Sequence, residues 1–171
     1  MSLEEKEKLT TWQVAPLGTL IHHIVGTCHQ ECREDMAGLE TLLAFLAMEP
    51  GPSHLSLVEI RDLFAQFCAE LRAHMAREER DLFPVLLAME QGIAPGPGKA
   101  QLEVLGSLLE AEHHKEAGLL RDLRIFAGAL AKDSPAESPK VRIHTSLVAF
   151  AGRLEDHVRL ENQVLFPRMR Q

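Results

Sequence analysis

Two stretches of the chain carry the same side chains at the same spacing. Residues 74–84 read HMAREERDLFP and residues 157–167 read HVRLENQVLFP. Each holds a histidine, a glutamate four residues later and a Leu-Phe-Pro tail, and the copies are offset by 83 positions. In a helix, residues i and i+4 stand one turn apart on one face. His74 therefore projects with Glu78, and His157 with Glu161. Leu71 and Leu82 extend the first stripe and Leu165 the second, so both pairs face an apolar interior. An unpaired carboxylate there is very costly, and no lysine or arginine lies on these stripes. A metal ion would compensate it.

The remaining candidates lie on other segments. His113 shares a broad stripe with Leu102, Leu105, Leu109 and Leu120, and His29 lies near the stripe of Val25 and Met36. His29 and His113 are 84 positions apart, so the chain reads as a duplicated helix pair. Four histidines and two carboxylates then converge on one core. A single inward histidine, or a single HxxxE, is ordinarily a core feature. Two copies in register, with a histidine on each remaining helix, point to a metal centre. Imidazole with carboxylate suits iron, manganese, zinc or copper, and the lack of cysteine ligands disfavours a structural zinc. The ligand count favours two ions, each with two nitrogens and two oxygens if Glu78 and Glu161 bridge. Bridged ions sit about 3.5–4 Å apart. An oxo or hydroxo bridge would make each five-coordinate, leaving a position open for water, dioxygen, nitric oxide or peroxide.

Positioning such a set requires long helices. Pro and Gly cluster in EPGPSH (49–54) and QGIAPGPGK (91–99), and KDSPAESP (132–139) is a third break. Between them lie segments rich in Leu, Ala, Glu, Arg and Met, strong helix formers. The pattern predicts helices over about 16–48, 53–90, 99–131 and 139–168, each roughly 45 Å long at 1.5 Å per residue. Short connections make sequential neighbours antiparallel, giving an all-α, up-down-up-down four-helix bundle. Residues 1–14 form an appendix packed on by Trp12, and 15–171 form the bundle domain. The prolines of the LFP tails should kink or end their helices.

Bulk properties narrow the classes. The 171 residues suit one domain with a real core. The net charge is −7 and the positive charges form no basic tract, which argues against nucleic acid. No apolar run reaches the roughly 20 residues of a membrane helix, and MSLEEKEKLTTW lacks the apolar region of a secretory signal. Three cysteines without a framework spacing fit a reducing cytoplasm. Cys28 and Cys32, a turn apart, have no CxxC partner and do not read as a metal pair. With no tyrosine in the chain, tyrosyl-radical and phenolate chemistry are excluded.

At these residues the sequence resembles the hemerythrin-like, HHE cation-binding family, and most nearly its di-iron iron-centre repair proteins. The resemblance covers about residues 16–168. Its motifs here are Cys28-His29 with Arg33 a turn later, HMAREERDLFP, EAEHHKEAG (110–118) and HVRLENQVLFP. It implies His29, His74, His113 and His157 as terminal ligands, Glu78 and Glu161 as bridges, and two non-haem iron ions, with manganese or zinc as alternatives. His114, which sits better relative to Gly118, is the alternative to His113. His22 reads as a residue behind the ligands or on the surface, and His23, His54 and His144 as solvent-facing. There are departures. Members of this type often have Tyr before the first ligand, where this chain has Cys28. Repair proteins commonly carry a small N-terminal domain with paired cysteines, for which residues 1–14 leave no room. Oxygen-carrying hemerythrins add HxxxH on the third helix and an aspartate five residues after the last histidine. Here those positions are Ala117 and Asn162. Ferritin-like carboxylate enzymes use two ExxH motifs, and this chain offers one, Glu110 to His113. The reading is therefore a stress-response protein, donating iron to damaged iron centres or processing nitric oxide, peroxide or dioxygen. Expected partners are such a small ligand and an iron-protein client. A dioxygen or nitric oxide sensing or storage module, and a metal buffer, are the alternatives.

Overall fold

The structure, a computed structural model, describes residues 3–48, 54–93, 98–132 and 134–170. Most of EPGPSH, the centre of QGIAPGPGK and Asp133 of the third break lie outside them. The described residues form helices and no strand: α1 (Leu3–Val14), α2 (Leu17–His23), α3 (Gln30–Leu46), α4 (His54–Arg77), α5 (Phe83–Glu90), α6 (Lys99–Ala131), α7 (Pro139–Leu160) and α8 (Phe166–Met169). Wider π turns join several of these end to end. Ile24–His29 joins α2 to α3, Glu78–Leu82 joins α4 to α5, and Glu161–Leu165 joins α7 to α8. The result is four long rods, the third being α6 alone. The appendix expected before Pro16 is itself a helix, α1, so there are five helical bodies among the described residues rather than four.

Local chemistry sets several ends. Pro16 precedes α2 with an extended backbone, and Pro139 opens α7 where its missing N–H costs nothing. The Ser138 side chain accepts a hydrogen bond from the Val141 N–H at 3.3 Å. Gly92, with φ 73°, turns the chain out of α5 in a conformation that side-chain-bearing residues disfavour.

The LFP prolines do not end their helices. Pro84 and Pro167 each follow a π turn directly, and the second rod runs on to Glu90. A proline ring clashes with the carbonyl four residues back and removes one helical bond. A turn widened by one residue relieves that contact without breaking the rod. The π turns Glu78–Leu82 and Glu161–Leu165 repeat at the 83-residue offset of the sequence motif, and each of these two begins at a motif glutamate. π turns are rare and concentrate at functional sites.

The rods close a ring: α3 packs against α4 and α7, and α6 against α4 and α7. Two apolar clusters fill it. One centres on Phe64, Phe67 and Phe150, whose rings meet at centroid distances of 5.7–6.4 Å. The other contains Leu82, Phe83, Leu165 and Phe166 of the LFP tails, all buried. On every rod the candidate ligand falls between residues of one cluster and residues of the other. The polar centre is thus sealed by apolar plugs at both ends, which strengthens electrostatics inside it. Among the described residues no helix is long and apolar enough to cross a membrane.

Candidate metal centre

All six predicted residues meet in this layer. His29, His74, Glu78, His113, His157 and Glu161 are at most 3% exposed. They form two groups whose ligand atoms lie within 4.8 Å of one another: His29, Glu78, His157 and Glu161, and His74, Glu78, His113 and Glu161. Both glutamates belong to both groups. Glu78 Oε2 lies 3.2 Å from His29 Nε2, and its Oε1 lies 3.4 Å from His74 Nε2. Glu161 Oε1 lies 2.8 Å from His157 Nε2, and its Oε2 lies 3.2 Å from His113 Nε2. Every histidine turns Nε2 inward and every carboxylate oxygen faces one histidine. His113 and His74 bring their Nε2 atoms within 3.0 Å of each other.

The residues fit metal ions on their own evidence. His29 Nε2, both Glu78 oxygens and Glu161 Oε2 are buried without a hydrogen-bond partner. Such orphans each cost about 1–3 kcal/mol, so four at one point mark a place for cations. Where no cation sits, protons must stand in. Burial alone would lower His74, but Glu78, Glu116 and Glu161 outweigh it and push the ring up to about 9. Burial likewise opposes charge on His157, yet the Glu161 carboxylate and the neighbouring Cys32 thiol hold it well above the usual range. Glu161 is held well below it, against burial, by His157 and His113.

A second layer fixes the rings. Glu79 accepts from His29 Nδ1 at 2.6 Å and from Arg33 at 2.6 Å. Burial would raise Glu79, but Arg33 and His29 hold it below its ordinary range. Glu112 accepts from His74 Nδ1 at 3.0 Å and pairs with Arg77. The Asn162 side-chain oxygen accepts from His113 Nδ1 at 3.0 Å. These bonds put the proton on Nδ1 and leave Nε2 free to ligate. His157 differs: no carboxylate or amide accepts from its Nδ1, and the Cys32 thiol is the group beside the ring. Phe83 stacks on His29 at 5.9 Å and Phe166 on His113 at 5.8 Å, so the LFP phenyl groups hold ligand rings as well as filling core. Glu116, buried and 3.9 Å from His74 Nδ1, is pushed up to about 7 by burial.

Of the other histidines, His114 and His22 lie as expected, and His23 and His144 do not. His114 is exposed and bonded to its own helix at the Glu110 carbonyl, which leaves His113 as the third-rod member of the site. His22 is exposed and bonded to the Gly18 carbonyl, so it belongs to the surface. His23 is not solvent-facing. It is half-buried, with the Trp12 ring stacked on it at 4.6 Å. His144 is half-buried as well, its ring lying against the place where Gly128 lacks a side chain. The His54 side chain lies outside the described residues. Sequence analysis gave Glu79 and Glu112 no role, and noted Asn162 only as standing where oxygen-carrying hemerythrins have an aspartate. Their partners are 38–50 residues away, and only the fold brings them together.

The chain is similar to several known proteins. The chain is 28% identical to the iron-sulfur cluster repair protein ScdA of Staphylococcus haemolyticus over 148 residues, 86% of this chain and 65% of that one. It is 29% identical to the iron-sulfur cluster repair protein DnrN of Neisseria gonorrhoeae over 163 residues, covering 94% and 96%. It is 29% identical to the iron-sulfur cluster repair protein YtfE of Cronobacter sakazakii over 168 residues, covering 92% and 67%. The chain thus spans about two thirds of the length of ScdA and YtfE and nearly all of DnrN. The Hemerythrin HHE cation binding domain profile matches residues 20–169, and the chain belongs to that family.

Proposed function

We propose that the chain is a non-haem di-iron protein that repairs damaged iron centres by donating iron. The observation that carries this reading is the division of the carboxylate oxygens. Each glutamate offers one oxygen to a histidine of each group. Two ions here would each be held by two histidines, with Glu78 and Glu161 common to both groups. The four rods then run up-down-up-down, so that equivalent positions of the duplicated pair face each other across the centre.

Iron held by these residues would supply a redox-active and transferable cation. The chain's own residues do the rest. Glu79, Glu112 and Asn162 hold Nδ1 protons and aim the Nε2 lone pairs. Arg33 and Arg77 neutralise the outer carboxylates. The LFP plug excludes water from one end. Manganese or zinc suits the same donors. The repair role rests on the named functions of the relatives, and its partner is an iron-protein client. The free cysteines among the described residues suit a reducing compartment and support a cytoplasmic location. A second reading, processing of nitric oxide, peroxide or dioxygen, is favoured by a cavity of about 780 Å³ that reaches His113 and Asn162.

The test is transfer. Anaerobically iron-loaded protein is mixed with an iron–sulfur protein whose cluster nitric oxide has damaged, and cluster absorbance is followed. Recovery that needs loaded protein, and is lost in Glu78→Ala, is expected. Equal recovery with metal-free protein contradicts the proposal.

A further inference from the structure

The two ligand groups open along different seams of the bundle. The cavity of about 780 Å³ that reaches His113 is walled by the third and fourth rods alone. A second cavity, of about 320 Å³, reaches His157. The first and fourth rods supply most of its lining, His23, Cys28, Asp156 and Leu160 among them. The rest is Leu9 and Trp12 of α1. This short helix touches His23 on one rod and the Glu161–Leu165 turn on the other, so it lies across the seam between them.

α1 is fastened at few points. Trp12 lies nearly flat on His23, with ring centroids 4.6 Å apart and planes 17° from parallel. Arg168 donates to the carbonyls of Trp12 and Ala15 at 3.1 and 2.8 Å, so one guanidinium closes the open end of the helix. The joint beyond is a single residue. Pro16 has an extended backbone, and without an N–H it carries no helical bond from α1 into α2. On the far side of that joint, the Glu90 carboxylate accepts from the N–H groups of Leu17 and Gly18 and pins the start of α2 to α5. A pivot at Pro16 therefore moves α1 and leaves the first rod in place. Twelve residues are marginal as a free helix. The order of α1 comes from what it docks on, and segments held by so few contacts open at low cost.

We propose that α1 is a hinged lid over one of two doors to the centre. Closed, it covers the seam that leads to His157, and so to the group formed by His29, Glu78, His157 and Glu161. The group formed by His74, Glu78, His113 and Glu161 is reached through the cavity that α1 does not line. The lid opens when Trp12 leaves His23 and Arg168 lets go of the two carbonyls. An ion held by His74 and His113 then exchanges freely, and one held by His29 and His157 waits for the lid. This order of exchange rests on the reading that the centre holds two ions. The motion of α1 does not.

The experiment uses the full chain in two states. Without metal, two side chains report the lid directly. Trp12 is the one tryptophan of the chain, so acrylamide quenching follows the cover itself. Cys28 lines the cavity beneath it, whereas Cys32 and Cys68 are buried, so a neutral thiol reagent follows access. Arg168→Ala should raise the quenching. Arg168→Ala and Trp12→Ala should each speed Cys28 labelling by at least about tenfold, the effect of losing one hydrogen bond from a charged donor. Cys68, in the other apolar cluster, should stay unlabelled. With two ferrous ions loaded anaerobically, release to a chelator should show a fast and a slow phase of equal size. The same two substitutions should speed the slow phase by a like factor and leave the fast phase alone. Cys28 labelling unchanged in both variants overturns the lid, as does Cys68 labelling that rises in step with it. A slow phase blind to both substitutions, or two phases quickened alike, overturns the assignment of the lid to one door. Fewer than two irons in the unmodified chain breaks the di-iron reading, and the metal-free measurements still decide the lid.

Discussion

Replacing Glu78 by leucine separates a metal ligand from an ordinary core residue, because the two roles predict opposite results without metal. Glu78 is fully buried and neither of its oxygens has a hydrogen bond. Leucine has nearly the same volume and carries no polar atom of its own. Removing two unsatisfied buried oxygens, at about 1–3 kcal/mol each, offsets the loss of the carboxylate's attraction for His74. Once that carboxylate is gone, His74 can shed its proton and stay buried as a neutral ring. Metal-free Glu78→Leu should therefore melt within about 4 °C of the metal-free parent, or above it. With iron the order reverses. An ion present at a thousand times its dissociation constant stabilises the folded chain by about 4 kcal/mol per site. For a domain of this size that is a rise of about 8–16 °C. The parent should show this rise and Glu78→Leu should not. Calorimetry of both chains, with chelator and with anaerobic iron, decides it. A metal-free variant that melts more than about 8 °C below its parent while still gaining the full rise with iron would refute the reasoning.

Other consequences can be checked beside it. His74, held up to about 9 in the metal-free chain, contributes stability that is whole below its unfolded value of 6.5 and is lost as pH rises through 9. Metal-free melting temperature should thus fall between about pH 6.5 and 9, while the iron-loaded chain, whose Nε2 atoms carry no proton, should not follow; a flat metal-free curve contradicts this. Glu79→Gln and Glu112→Gln should each weaken iron binding by about 10–100-fold, read by competition with a chelator, with helicity unchanged. Phe64→Ala, in the apolar cluster away from the site, should cost about 3–5 kcal/mol of stability and leave the iron count untouched.

What the sequence disclosed follows the range of its physics. The i, i+4 pairs were legible because a helix fixes their direction whatever surrounds it. The rod boundaries were legible because Pro and Gly punctuate them: residues 99–131 and the starts at Pro16 and Pro139 fall where the composition put them. The π turns were not, since ERDL and NQVL contain no Gly or Pro to mark a break. Only the following proline hints at a widened turn. The hydrogen bonds of Glu79, Glu112 and Asn162 join residues far apart in the chain, so no local rule could find them. The same holds for His23, which reads as exposed until α1 folds back and lays Trp12 over it. A carboxylate ties His29, an amide ties His113, and the two halves of one repeat differ in charge behind their ligands.

The central claim is that Glu78 and Glu161 join two iron ions in one centre. Anaerobic loading with iron, followed by metal counting and Mössbauer spectroscopy, tests it most directly. The account predicts two irons per chain, magnetically coupled, with the coupling lost in Glu78→Ala and in Glu161→Ala. One metal per chain, or a coupled pair that survives the loss of either glutamate, would contradict it.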